Sequence, residues 1–220
     1  MTDFINRRIF EAIALQPSDY LVDIGCGDGF FLRLALESRV RAAVGITPSE
    51  YEASCLREHG LDVRAGTADA VPLSDAVATV VVCNSVLLLV PESQIAKSLS
   101  EIARISVPSA RVFIGEVPFV REPDAYPRHE TVSQMLWWVL RNRGLRSFLG
   151  ICRRLVIGAQ RGPELRHPTQ AIFFSPPDEF IRRAAEVGLR MTRNETHVTL
   201  SANQQPYLSP TRWDYLFTKD

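Results

Sequence analysis

Val22-Asp23-Ile24-Gly25-Cys26-Gly27-Asp28-Gly29-Phe30 decides how the rest of this chain is read. The apolar run that begins at Tyr20 predicts a strand ending at Ile24. Phe31, Leu32, Leu34, Ala35 and Leu36 recur at helical spacing directly afterwards. Between them, glycines 25, 27 and 29 strip three Cβ atoms from one turn. The backbone is then free to bend sharply and to let a ligand touch main-chain groups. The helix N-terminus behind the turn adds partial positive charge, and Asp23 adds a carboxylate. Such a site suits a ligand with a cationic amine and an anionic carboxylate.

Working outward, Phe4, Ile5, Ile9, Ala12 and Ile13 predict a lead-in helix over 3–15, ended near Pro17. Downstream, strand and helix alternate: strand 41–46, helix 49–59 with Ser49 as its cap, and strand 62–65. Residues 77–83 are an almost pure β-branched run, as expected of a strand buried on both faces. Helix 91–105 leads to strand 111–116. Five short-looped alternations predict a doubly wound parallel sheet. Its ligand crevice lies beyond the carboxyl ends of the strands. Residues 25–29, 47, 67–68, 84–86 and 116 fall there. A helix over 175–187, a strand over 189–200 and a last strand over 212–218 finish the chain, with a long connection at 201–211.

Asp23, Gly25, Gly27 and Gly29 form the pattern D-x-G-x-G-x-G, which resembles the cofactor turn of class I S-adenosylmethionine-dependent methyltransferases. The dinucleotide pattern G-x-G-x-x-G fits less well, because Phe30 stands where its third glycine belongs. The resemblance covers all of the chain except an insert at 117–174. It implies a Rossmann-like α/β fold: a doubly wound, seven-stranded, mostly parallel sheet with an antiparallel last strand pair and a helical insert after strand 5. It also implies S-adenosyl-L-methionine as cofactor. The implied contacts are Asp23, Gly25, Cys26, Gly27 and Gly29 at the turn and Thr47 and Pro48 at the ribose. Thr67, Ala68 and Asp69 are implied at the adenine, with Asn84 and Ser85 where acceptor and methyl group meet. Three acids common in the family are replaced by Thr47, Thr67 and Thr79. The string Gly-Ile-Thr-Pro-Ser resembles the variant of cyclopropane-fatty-acid synthases and tocopherol-type methyltransferases, in which a side chain on the next helix helps hold the ribose. Glu50 and Glu52 are both open for that role. Asp69 stands two residues late for the adenine, so a substitute acid and a solvated turn carboxylate are equal readings.

Composition excludes several classes. With 220 residues, 46% apolar and 23% charged, the chain is an ordinary globular sequence of one domain's length. A net charge of zero gives no general attraction to nucleic acid, and the base-methylating signature N-P-P-Y is absent. Cysteines 26, 55, 83 and 152 have no C-x-x-C or metal-ligand spacing and read as reduced thiols. No metal site is expected. No signal-peptide run is seen, so a cytoplasmic location is expected.

Within the insert, arginines 128, 141, 143, 146, 153, 154, 161 and 166 face only Glu130 and Glu164 between 128 and 166. Apolar residues with Trp137 and Trp138 give an amphipathic element over 135–156. It reads as a helical lid, as an arginine site for an anionic acceptor, or as a peripheral contact with the inner face of a membrane. The expected activity is methyl transfer to a small-molecule or saccharide acceptor, anionic or lipid-linked in the sharper version, on oxygen. Glu116, His129 and His167 are the candidate bases. An inert methyltransferase fold serving as a binding or regulatory module is the first alternative, and a module that binds NAD is the second.

Overall fold

The computed structural model describes residues 2–119, 173–200 and 205–220, with scattered helical positions between 133 and 152. The chain divides into two compact units, residues 1–121 with 171–220, and residues 122–170. In the second unit the described positions, among them Leu136, Trp137, Leu145 and Leu149, are helical, and Trp137, Leu145 and Leu149 are exposed.

The first unit follows the hydrophobic periodicity closely. Helix α1 (Thr2–Ile13) precedes β1 (Tyr20–Ile24), α2 (Phe30–Glu37), β2 (Ala42–Thr47), α3 (Glu50–Glu58) and β3 (Asp62–Ala65). Then come β4 (Ala78–Asn84), α4 (Glu92–Ile105), β5 (Ser106–Pro118), α5 (Pro177–Glu186), β6 (Leu189–Leu200) and β7 (Pro206–Lys219). The strands make one sheet in the order β3-β2-β1-β4-β5-β7-β6. The first five pair in parallel, while β7 runs antiparallel to both β5 and β6. This is the seven-stranded architecture expected from the sequence.

Each sheet face carries its own core. Ile95, Leu99 and Ile102 of α4 and Phe180 and Ala184 of α5 pack on one face, against Val22, Val81 and Ile114. Ile9 and Ile13 of α1, Phe31 and Leu32 of α2 and Ala53 of α3 pack on the other, against Leu21, Val80 and Val82. The β-branched run of β4 is buried on both sides because it lies mid-sheet. Below the sheet, Thr79 donates to Asp19 Oδ1 at 2.8 Å, and Arg111 Nη2 donates to Asp19 Oδ2 at 2.5 Å. Burial pushes the Asp19 carboxyl up, but the hydrogen bonds from Arg111, the Gln16 amide and Thr79 outweigh it and leave it below the ordinary value.

Two strands depart from the sequence reading, and the first, β5, begins at Ser106 rather than at 111. Strand β7 starts at Pro206, so residues 206–211, expected in a loop, belong to the sheet. The prolines that suggest a loop cost no ladder rung. Pro206 is the strand's first residue, and Pro210 lies in a register break against β6, beyond the last β5 pair, Pro118 with Arg212.

Candidate active site

The three glycines of the β1–α2 turn all have positive φ, at +80° for Gly25, +54° for Gly27 and +74° for Gly29, yet they answer to different neighbours. A Cβ on Gly25 would lie 2.3 Å from Val86 Cγ2 of the β4–α4 connection. A Cβ on Gly29 would lie 2.5 Å from Leu61 Cδ1. Those two glycines let protein pack on the turn. Around Gly27 no described residue stands within 4 Å of that position, which leaves the turn open there. The amides of Gly25 and Cys26 donate to Ile46 O at 2.8 and 3.1 Å, which ties the turn to the end of β2. Cys26 turns its thiol inward, and burial, with Asp23 beside it, pushes that thiol up to about 12. It is held neutral, as a packing group.

Asp23 is 5% exposed, and no described residue forms an ion pair with it. Burial raises its carboxyl to about 7. A buried carboxylate beside an open glycine is the counterpart of an ammonium group on a small ligand.

At the end of β2, Thr47 is 3% exposed, and its Oγ1 donates to Glu52 Oε2 at 2.9 Å. Ser49 caps α3 by accepting from the Glu52 amide at 3.2 Å. This cap sets Glu52 one turn into the helix, where it reaches back over the strand end. Glu50 instead pairs with Arg57 and is exposed. Of the two glutamates left open by the sequence, Glu52 is the one that reaches back to Thr47. Pro48 links Thr47 to this cap. The next segment repeats the arrangement: Thr67 Oγ1 donates to Asp69 Oδ1 at 2.7 Å, within a turn closed by the Thr67–Ala70 bridge that buries Ala68. The hydrogen bond from Thr67 is the main cause holding the Asp69 carboxyl below its ordinary value, with smaller help from Lys97. Each threonine that replaces an expected acid therefore holds the carboxylate of another residue, Asp19 at Thr79 included.

At the ends of β4 and β5 the backbone is strained. Ser85 and Glu116, neither of them glycine, have φ of +58°. Asn84 Oδ1 is buried without a hydrogen-bond partner among the described residues. Gly115 makes room for it, since a Cβ there would lie 2.2 Å from Asn84 Oδ1. Glu116 Oε2 accepts from Arg212 at 2.5 Å, and the Glu116 amide donates to Asp214 Oδ1 at 2.8 Å. His129 and His167 lie outside the described residues. A histidine that sequence reasoning passed over, His197, stands within 3.4 Å of Glu116 and is 2% exposed. The only sequence signal for it was hairpin register: folding 189–200 back on 212–218 brings residue 197 close to Asp214.

Residues 22–114 match the sequence model of the family described as "Methyltransferase domain". The segment runs from the glycine turn to the end of the parallel sheet, and over it the chain is similar to S-adenosylmethionine-dependent methyltransferase domains of class I. S-Adenosyl-L-methionine is the cofactor of that class, and the open Gly27, buried Asp23 and Glu52 fit its methionine and ribose. The solved structures of similar fold include a putative S-adenosylmethionine-dependent methyltransferase of Listeria monocytogenes, with TM-score 0.65 and 13% identity over 99% of each chain. An S-adenosylmethionine-dependent methyltransferase of Methanosarcina mazei gives 0.61 and 14%, over 96% of each. A possible histamine N-methyltransferase of Thermotoga maritima gives 0.57 and 16%, over 99% of this chain and 89% of that one. No curated protein matches the chain in sequence.

A direct check on the ribose assignment compares the two glutamates of α3. Glu52→Ala is expected to weaken S-adenosylhomocysteine binding by about 10- to 100-fold, since hydrogen bonds to a carboxylate are worth about 1.5–3 kcal/mol. Glu50→Ala should leave affinity unchanged. Equal effects in calorimetric titration would remove Glu52 from the site.

Proposed function

We propose that this enzyme methylates an oxygen atom of a small-molecule or saccharide acceptor. The observation that supports this reading most is the Glu116 carboxylate. It is held at the carboxyl end of β5 in a backbone conformation that a glutamate adopts only when the surroundings impose it. A hydroxyl acceptor needs a nearby base, whereas a free amine does not. When bound, S-adenosyl-L-methionine supplies a methyl group already activated on a sulfonium, so the protein's part is to orient the acceptor and receive its proton.

The acceptor proposed is anionic or lipid-linked, because the arginine-rich insert offers forked donors for phosphate or carboxylate. Exposed Trp137, Leu145 and Leu149 in that segment favour peripheral contact with an anionic membrane at its cytoplasmic face. No helix among the described residues is long and apolar enough to cross a membrane. Nucleic acid is not part of this reading. Titration with S-adenosylhomocysteine should give saturable heat, and its absence would favour the inert-module alternative. Co-sedimentation with anionic liposomes tests the membrane contact, and no binding at low salt would remove it.

A further inference from the structure

Strand β7 is flanked by register breaks on both sides, at Asp214 against β5 and between Trp213 and Leu208 against β6. On β5, Gly115 and Glu116 lie between the Ile114–Tyr215 and Val117–Trp213 pairs, so two residues face one. On β6, His197 lies between Thr196, paired with Trp213, and Val198, paired with Leu208. Extra residues of this kind re-aim side chains, and here they bring residues of three strands together. His197 Nδ1 lies 2.9 Å from both Asp214 oxygens, and its Nε2 lies 3.4 Å from Glu116 Oε1. That Nε2 is buried and has no hydrogen-bond partner among the described residues. Arg212 holds the other Glu116 oxygen. A small cleft opens beside α1 onto this group, lined by Arg8, Glu195, His197 and Asp214 with Ile5 and Ile9.

The charges explain why the arrangement is poised. With His197 neutral, Arg212 offsets one of the two carboxylates and the cluster keeps one net negative charge. A single proton between Nε2 and Oε1 closes the balance. Asp214 fixes which ring nitrogen stays free by accepting from Nδ1–H. Resting on the oxygen-methylation reading, we infer that Glu116 and His197 form one proton-accepting unit for the acceptor hydroxyl. Asp214 and Arg212 are its positioning residues. An O–C bond to the methyl group would form as the methyl–sulfur bond of the bound cofactor breaks, with S-adenosylhomocysteine as leaving group, and the acceptor's O–H bond breaks. The proton passes to Glu116, is held by His197 Nε2, and leaves to solvent through the cleft. The charged groups that face the unit are Arg8 of α1, Arg193 and Glu195 of β6, and Asp214 and Arg212 of β7.

Ring ¹⁵N spectra of the full chain test the pair without an acceptor, with His197→Gln assigning the signals. Nδ1 should carry the hydrogen donated to Asp214. Glu116→Gln should change the Nε2 resonance and leave Nδ1 in place. A hydrogen on Nε2 with a bare Nδ1, or an Nε2 signal indifferent to Glu116→Gln, would overturn the inference. Circular dichroism confirms that each variant folds. A second arm supplies radiolabelled S-adenosylmethionine with a panel of phenolic, saccharide and amine acceptors. On a hydroxyl acceptor, Glu116→Gln should lower kcat by about 10²- to 10⁴-fold with cofactor affinity unchanged, and an unaltered kcat would overturn the role. Transfer confined to amines overturns the oxygen reading, and the ring-nitrogen result then shows whether the proton pair stands without it.

Discussion

Gly27→Val is expected to fold and to lose cofactor affinity by at least about a hundredfold. A Cβ at this position meets no atom of the described residues within 4 Å, so among them the substitution carries only the cost of a left-handed backbone. That cost is about 1–2 kcal/mol. In the proposed site the side chain enters the space of the cofactor's methionine end, and two branched methyl groups there would exclude it. Gly29→Val is the informative contrast. Its Cβ falls 2.5 Å from Leu61 Cδ1, so it should lower the melting temperature steeply through overpacking. Calorimetric titration with S-adenosylhomocysteine, run beside thermal unfolding, separates the two. Gly27→Val with native affinity would mean that the ligand does not approach the turn there.

The second large effect concerns Asp23. Its carboxyl is raised to about 7 by burial, well above the ordinary aspartate value of 3.8. A cofactor that brings an ammonium group favours the ionised form. Below pH 7, binding must therefore expel a proton, and affinity should fall by up to about tenfold per pH unit. Above pH 7 the carboxyl is already ionised, and affinity should be flat. Calorimetry in buffers of different ionisation heat should register the released proton at pH 6 and not at pH 8. Stability without ligand runs the other way. A carboxyl whose value is raised on folding contributes fully below the unfolded value of about 3.9, and that contribution is lost as pH climbs towards 7. Asp23→Asn should abolish both slopes and weaken binding. Binding that is independent of pH in the wild type would separate Asp23 from the cofactor.

The turn at 25–29 and the first five strands were legible because each is a local event. Three glycines between a strand and a helix, a β-branched run and a capped helix can each be read within about ten residues. The role of Glu52 was half legible. The resemblance directed attention to the helix after Thr47, but choosing between Glu50 and Glu52 needed the rotation set by the Ser49 cap. The Glu116–His197–Asp214–Arg212 group was not legible beyond Glu116. Its members lie up to 98 residues apart and meet through two register breaks that leave no periodic trace. His197 sits in a polar, alternating strand where a lone histidine is ordinary. The extent of β7 was missed because two prolines outweighed the pairing evidence, although neither interrupts a rung.

The Thr47–Glu52 contact puts a carboxylate at the end of β2 that belongs to the next helix and not to the sheet. An acid on the strand itself would move only with the sheet, whereas this one rides on α3 and is tied back by a single hydroxyl. If Glu52 holds the ribose as proposed, nucleoside affinity follows the pitch of a surface helix. Small displacements of that helix tune how firmly the sugar is gripped, with no adjustment of the strands beneath.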